Sequence, residues 1–197
     1  MQLKKELKKF WAFLQKDSWQ SWIVSIILII VLVRGIFFPI LSFATGANLP
    51  LVVVESCSMY HETNFEQWWE KNSQWYEPKG IDKEKFKSFI LKGGLNKGDI
   101  ILVWGKSDYR IGDILIFNAQ TKHPLIHRIV SETPLSTKGD HNSEQLTKEN
   151  NAQGINEINI DKQTIIGKAV GKIPLLGWVK LIFFEPFRPS SERGFCH

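Results

Sequence analysis

A continuous apolar run near the start of the chain dominates its hydrophobic pattern. From Trp22 to Ala44, 23 residues carry a single charge, Arg34. As an α-helix this run would be roughly 35 Å long, enough to cross the hydrocarbon core of a bilayer. Pro39 is expected to kink or end the span. Five lysines precede the run, and neither Lys nor Arg follows it before Lys71, so the charge pattern predicts a cytoplasmic N-terminus and an extracytoplasmic remainder.

The same run has a second interpretation as a cleaved signal peptide, because Ala44-Thr45-Gly46 has the small-x-small pattern of a cleavage site. Its apolar region is much longer than the roughly 7–15 residues found in such peptides. The length therefore favours an uncleaved membrane anchor.

Beyond the anchor, short apolar runs alternate with turn residues. Gly98-Asp99 and Gly112-Asp113 each open such a run, and this pairing is typical of turns. The pattern predicts a mainly β fold. The expected strands are residues 51–55, 100–104, 114–118, 125–131 and 164–170.

Two segments, residues 64–76 and 82–92, have a helical pattern instead, with Asn64 and Asp82 as expected N-caps. They form an aromatic-rich block that we interpret as an insertion in the β scaffold, residues 61–95. A packing unit is favoured for this block over a lid or a lipid-contacting surface. Its aromatic residues are Trp68, Trp69, Trp75, Tyr76, Phe86 and Phe89.

The apolar C-terminal segment, residues 173–187, is too short and interrupted for a second span. A last strand is favoured over a surface that touches lipid. The organisation expected for the whole chain is a basic cytoplasmic tail at 1–18, a membrane anchor at 19–45, an extracytoplasmic domain at 46–188 and a disordered tail at 189–197.

Composition excludes several classes of protein. Apolar residues make up 43% of the chain and charged residues 23%, which is typical of a globular protein. The net charge is +5, and the lysines are spread out except at the N-terminus, so a solvated surface is favoured over a nucleic-acid partner. Two cysteines cannot form a disulfide scaffold, and the histidines and Cys57 do not have metal-ligand spacing. No metal or cofactor is predicted.

The residues with catalytic chemistry begin just beyond the anchor. Ser56 and Ser58 lie two apart on an extended segment, so their side chains point the same way. One could attack a carbonyl while the other donates a hydrogen bond to the developing oxyanion. His127 lies within an apolar strand that would fix its ring, and Asp140 lies in a turn suited to orient an imidazole. A Ser–His–Asp order is possible, but the spacing also fits a strand-end serine, a core histidine and a turn aspartate.

Several motifs occur in one order behind the anchor. They are the S-x-S-M box at 56–59, G-D-I-L-I-F at 112–117, I-H-R at 126–128, K-G-D-H-N at 138–142, I-G-K-A-V at 166–170 and I-P-L-L-G at 173–177. With these motifs the chain resembles type I signal peptidases, specifically the archaeal and endoplasmic-reticulum branch that uses Ser and His. The resemblance runs from about Trp19 to Lys180. It implies a signal-peptidase-like β scaffold.

The resemblance implies Ser58 as nucleophile and His127 as the general base that later protonates the leaving amine. The bacterial branch has Lys in place of His127. A histidine has a suitable pKa without desolvation and needs a carboxylate partner. Ser56 and the backbone N–H of Ser58 would form the oxyanion hole.

The third member of the triad is the least determined. Asp140 matches the family's Gly-Asp-x-Asn motif, while many relatives carry a further Asp six residues later, where this chain has Leu146. Asp140 is the favoured acid, with Glu144 and Glu149 as alternatives. Cys57, where relatives usually have Gly, is interpreted as a small filler.

The implied activity is that of a membrane-bound serine endopeptidase that removes signal peptides from secretory preproteins. The expected partners are preproteins and the lipid bilayer, and the expected location is the cell membrane. The alternative is a catalytically silent relative that binds preproteins or partner subunits through the same cleft. A third interpretation is a tethered relative that cleaves special substrates such as prepilins.

Overall fold

The computed structural model describes residues 2–105, 108–121 and 123–196. Its contacts divide the chain into two units, one ending at Ala44 and one starting at Thr45.

The first unit is helical. Helices α1 (Gln2–Leu14) and α2 (Trp19–Leu32) are followed by a π-helical turn, Val33–Phe37, and by α3 (Phe38–Thr45). The Ser18 side chain caps α2 by accepting from the Ser21 N–H. The continuous helix Trp19–Thr45 has 27 residues and is long and apolar enough to cross a membrane, by length and composition.

Pro39 was expected to kink or end the span. The helix does not end there, because it continues to Thr45. In the π-helical turn the Phe38 N–H donates to the Val33 carbonyl, five residues back. This wider turn directly precedes Pro39, which has no N–H to donate. The change in register lets the helix accommodate the proline.

The second unit is built on one six-stranded antiparallel sheet with strand order β1-β2-β6-β3-β4-β5. This confirms the predicted mainly β fold. The strands are β1 (Leu51–Val53), β2 (Ile100–Trp104), β3 (Ile114–Phe117), β4 (Leu125–Glu132), β5 (Leu135–Lys138) and β6 (Ile165–Ile173). Strand β5 has no predicted counterpart, because its sequence, Leu-Ser-Thr-Lys, is short and mostly polar although all four residues are buried.

The insertion between β1 and β2 carries two helices, α4 (Phe65–Tyr76) and α5 (Lys83–Lys87). The expected N-caps are confirmed: Asn64 accepts from the Gln67 N–H and Asp82 from the Lys85 N–H. Helix α5 is shorter than predicted.

The aromatic residues of the insertion form a packing unit, as the sequence favoured. The buried members of this cluster are Trp68, Trp69, Tyr76, Ile81, Phe86 and Val130. Because Val130 belongs to β4, the cluster fixes the insertion against the strand that carries His127 and Arg128.

The expected last strand over residues 173–187 is wrong. Strand β6 ends at Ile173, and helix α6 (Trp178–Leu181) and a 3₁₀ turn, Glu185–Phe187, follow. Many of the apolar side chains here remain exposed, namely Leu175, Leu176, Val179, Ile182, Phe183, Phe184 and Phe187.

The expected disordered tail is also wrong for residues 189–196. Cys196 forms a disulfide with Cys57, and the Phe195 ring lies 4.5 Å from that of Trp178 between centroids. Cys57 is therefore a covalent anchor and not a filler. His197 lies outside the described residues.

Candidate active site

Ser58 lies in a turn that follows β1. The Tyr60 N–H donates to the Cys57 carbonyl at 3.0 Å, and the His141 N–H donates to the Ser58 carbonyl at 2.9 Å. Gly139 makes this approach possible, because a Cβ there would lie 2.7 Å from the Ser58 carbonyl oxygen. The K-G-D-H-N segment therefore fixes the backbone of Ser58.

His127 lies in the middle of β4, opposite Leu115 of β3, and is buried. Its Nε2 is 2.9 Å from the Ser58 Oγ. The structure thus brings together the serine and the histidine that the sequence paired.

The acid partner of His127 is Glu157. Its Oε1 lies 2.5 Å from His127 Nδ1, and its side chain is fully buried. The same carboxylate accepts from the Thr137 hydroxyl at 2.9 Å and from the Leu146 N–H at 2.7 Å. A carboxylate only accepts hydrogen bonds, so the Nδ1 proton stays between His127 and Glu157, and Nε2 is free to accept the Ser58 proton.

Asp140 does not contact His127, and its expected role as orienting acid is corrected by this geometry. Its carboxylate accepts from Arg128 Nη2 at 2.7 Å and Nε at 2.9 Å, and it lies 3.1 Å from His61 Nε2. Neighbouring side chains on a strand point to opposite faces. His127 therefore faces Ser58 while Arg128, the next residue on β4, faces Asp140.

The two alternative acids, Glu144 and Glu149, are exposed on the surface. A hydrogen bond from the Thr147 side chain lowers the pKa of the Glu149 carboxyl. Neither glutamate takes the position of Glu157 beside the imidazole.

Glu157 lies in none of the motifs and stands 11 residues beyond Leu146. The Leu146 N–H nevertheless donates to Glu157, so the carboxylate reaches this position from another part of the chain. One signal was available in the sequence: Glu157 lies among Ile155, Ile158 and Ile160. The structure buries Ile155 and Ile160. A carboxylate in such a segment needs several donors.

Ser56 is exposed, and its Oγ lies 3.2 Å from the Ser58 Oγ. If Ser58 donates to His127, Ser56 is the donor in this contact. The side chain expected at the oxyanion hole therefore lies beside the Ser58 hydroxyl, the expected nucleophile.

Buried charges surround the site. Burial alone would raise the pKa of Asp140, but the Arg128 charge and the hydrogen bonds from His61 and Arg128 hold it well below its usual range. Burial lowers the pKa of Lys138 to about 8. The Lys138 ammonium lies 4.8 Å from the Trp75 ring centroid and 5.1 Å from that of Tyr76. Among the described residues, no group of three His, Cys, Asp or Glu side chains could hold a metal ion.

Asp140→Asn is expected to lower the free energy of unfolding by about 3–5 kcal/mol at neutral pH, because Arg128 would remain buried without its carboxylate. The depressed pKa of Asp140 stabilises the fold above about pH 4 and loses this effect as pH falls toward the folded pKa. Urea unfolding at about pH 7 and pH 3 should therefore show a smaller difference between wild type and variant in acid. An equal difference in unfolding free energy at both pH values would contradict the pairing of an ionised Asp140 with Arg128.

No protein-family model matches the chain. Sequence similarity is found with curated relatives named signal peptidase complex catalytic subunit SEC11. The relative from Chaetomium globosum is 32% identical over 110 residues, which cover 49% of this chain and 62% of the relative. The relative from Pyrenophora tritici-repentis is 33% identical over 109 residues with the same coverage, and that from Pyricularia oryzae is 27% identical over 120 residues.

The resemblance to type I signal peptidases of the Ser–His branch is confirmed. The chain spans about 62% of the length of the first two relatives. Three observations therefore stand together: the similarity to type I signal peptidases, the candidate membrane span and the hydrogen-bonded Ser–His–Glu group.

Proposed function

We propose that this protein is a membrane-bound serine endopeptidase that removes signal peptides from secretory preproteins. The observation that carries the proposal is the hydrogen-bonded series Ser58–His127–Glu157, with distances of 2.9 and 2.5 Å. A serine is a weak nucleophile alone and is activated by an adjacent base that a third group orients.

In the proposed reaction, Ser58 Oγ attacks the scissile carbonyl while His127 Nε2 takes its proton. Glu157 stabilises the imidazolium that forms. The negative charge on the tetrahedral intermediate is met by the Ser56 hydroxyl and the Ser58 N–H. His127 then gives its proton to the leaving amine, and water hydrolyses the acyl-enzyme with His127 again as base.

The membrane anchor is the candidate span Trp19–Thr45, with the N-terminus in the cytoplasm according to the lysine pattern. Ser58 follows Ala44 by only 14 residues, and each residue spans at most about 3.3–3.6 Å. The chain between the anchor and Ser58 is thus at most about 50 Å long, so the nucleophile can reach a cleavage site that emerges at the outer surface. Several apolar side chains of residues 175–187 are exposed, which is typical of surfaces that contact a membrane or another protein.

The substrate is proposed to bind extended and to pair with an edge of the sheet. Strand β1 is one edge of the sheet, and it leads directly into Ser56 and Ser58. Shallow pockets would accept small residues at the first and third positions before the cut.

The alternative, a catalytically silent preprotein-binding module, would be favoured by the absence of an acid beside His127. Glu157 fills that position, which favours the peptidase.

The test is cleavage of a model preprotein by the protein reconstituted in lipid vesicles, with product masses measured. The expected product lacks the signal peptide, and a preprotein with Trp in place of the small residue before the cut should be cleaved at least about tenfold more slowly. Binding of the preprotein without cleavage would contradict the peptidase and support the silent module.

A further inference from the structure

The backbone that carries the nucleophile, residues 54–59, is held by three separate groups. At its start, the Val54 N–H donates to the Asp99 carbonyl and the Gly98 N–H donates to the Val54 carbonyl. At its end, the His141 N–H binds the Ser58 carbonyl, and the Leu95 N–H binds the Met59 carbonyl at 2.7 Å. The middle of the segment, residues 55–57, is held by the C-terminal part of the chain.

This C-terminal part, residues 185–196, forms what we call the C-terminal strap. Lys97, which is buried, donates to the Glu185 carboxylate at 3.0 Å and to the Glu192 carbonyl at 2.6 Å. The Gly194 N–H also donates to Glu185 at 2.7 Å. Hydrogen bonds from Lys97 and Gly194 lower the pKa of Glu185 although burial opposes this. The strap is thus folded around the Glu185 carboxylate and is fixed by Lys97 to the loop before β2.

The strap contacts the nucleophile segment at two points. Arg188 Nη1 donates to the Glu55 carbonyl at 3.2 Å, and its Nη2 pairs with the Glu55 carboxylate. Two residues later, Cys57 is joined to Cys196 across 139 positions of sequence. Cys57 lies directly between Ser56 and Ser58.

We propose that the disulfide-locked strap positions the nucleophile, so that full activity requires the oxidised Cys57–Cys196 pair. This inference rests on the proposed peptidase function. The two serine hydroxyls need a fixed relation to His127, and a displacement of about 1 Å can cost roughly a hundredfold in rate. Arg188 and the disulfide fix the two ends of residues 55–57. Cleavage of the disulfide removes the covalent link at Cys57 and leaves the segment held through Glu55, which binds Arg188 and Lys180.

The pair is opened by a dithiol such as dithiothreitol. The S–S bond breaks, Cys57 and Cys196 each gain one electron and one proton, and the dithiol becomes a cyclic disulfide. The reaction requires no group that the protein itself must supply.

The test compares preprotein cleavage by oxidised wild type, dithiothreitol-reduced wild type and the Cys57→Ala/Cys196→Ala variant, below their melting temperatures. We expect kcat to fall about ten- to hundredfold in the reduced protein and the variant, with KM within about twofold. Reduction should not change the variant further. Ser191→Ala, a change at an exposed position of the strap that leaves Arg188 and both cysteines in place, is the matched control and should keep kcat within about twofold.

The proposal would be overturned if kcat stayed unchanged in protein whose two cysteines are shown to be free by thiol titration. A loss of kcat that appears only as the protein melts would overturn it as well. Amide hydrogen exchange of residues 54–59 gives a readout that needs no activity. Faster exchange after reduction is expected, and equal exchange would overturn the proposal. An oxidised protein that cleaves no preprotein but shows this redox-dependent exchange would contradict the proposed function and keep the positioning role of the strap.

Discussion

Ser58→Ala and His127→Ala are each expected to lower kcat for preprotein cleavage by about 10⁶-fold, and the double variant is expected to lose little more. The reason is that the two side chains act as one unit: the hydroxyl is not activated without Nε2, and the imidazole has no proton to accept without the hydroxyl. Their 2.9 Å hydrogen bond is the physical basis of this dependence. The measurement is single-turnover cleavage with excess enzyme.

Both variants should bind the preprotein as tightly as wild type, because the change is confined to the reacting groups. Losses that multiply in the double variant would show that the two residues act independently. That result would contradict the proposed mechanism.

Glu157→Gln is expected to lower kcat by about 10³–10⁴-fold with little change in KM, by analogy with amide substitution of a triad carboxylate. The amide can present its NH₂ group to Nδ1, which favours the imidazole tautomer with its proton on Nε2. Such a ring cannot accept the proton of Ser58, and it has no carboxylate to stabilise the imidazolium. The decrease is measured as kcat in the same cleavage assay.

Thr137→Val is the matched control, because Thr137 donates to the same Glu157 oxygen at 2.9 Å and does not touch the imidazole. We expect it to keep kcat within about tenfold of wild type. An equal loss in both variants would mean that Glu157 acts through the fold and not through His127.

The strands were predictable where apolar runs are long and bounded by Gly-Asp turns. Strand β2 has the predicted bounds, 100–104, and β3 ends within one residue of its prediction. The hydrophobic pattern did not predict β5, because three of its four residues are polar. Their side chains are buried against residues from other parts of the fold. One of these polar side chains is that of Thr137, whose hydroxyl binds Glu157.

Ser58 and His127 could be paired because the S-x-S-M and I-H-R motifs that contain them resemble those of type I signal peptidases. The acid could not be assigned in the same way. Asp140 matches its motif, but the alternation of β4 directs Arg128 toward it and His127 away from it. Glu157 lies in no motif, and only the folded chain brings it to Nδ1 at 2.5 Å.

The order of the C-terminal strap could not be predicted from the sequence either. From residue 189 onward its sequence contains Pro, Ser, Arg and Gly and indicates disorder, whereas its order depends on contacts with Lys97, Glu55 and Cys57. All three partners are distant in sequence. Local composition carries no information about them.

The most direct test of the Ser58–His127–Glu157 assignment is preprotein cleavage by Glu157→Gln beside Asp140→Asn, with equal amounts of folded protein. This assignment predicts that Glu157→Gln loses about 10³–10⁴-fold in kcat. Folded Asp140→Asn should stay within about tenfold of wild type, since its carboxylate binds Arg128 and His61 and not His127. The reverse result, a large loss in folded Asp140→Asn and near-normal activity in Glu157→Gln, would contradict it.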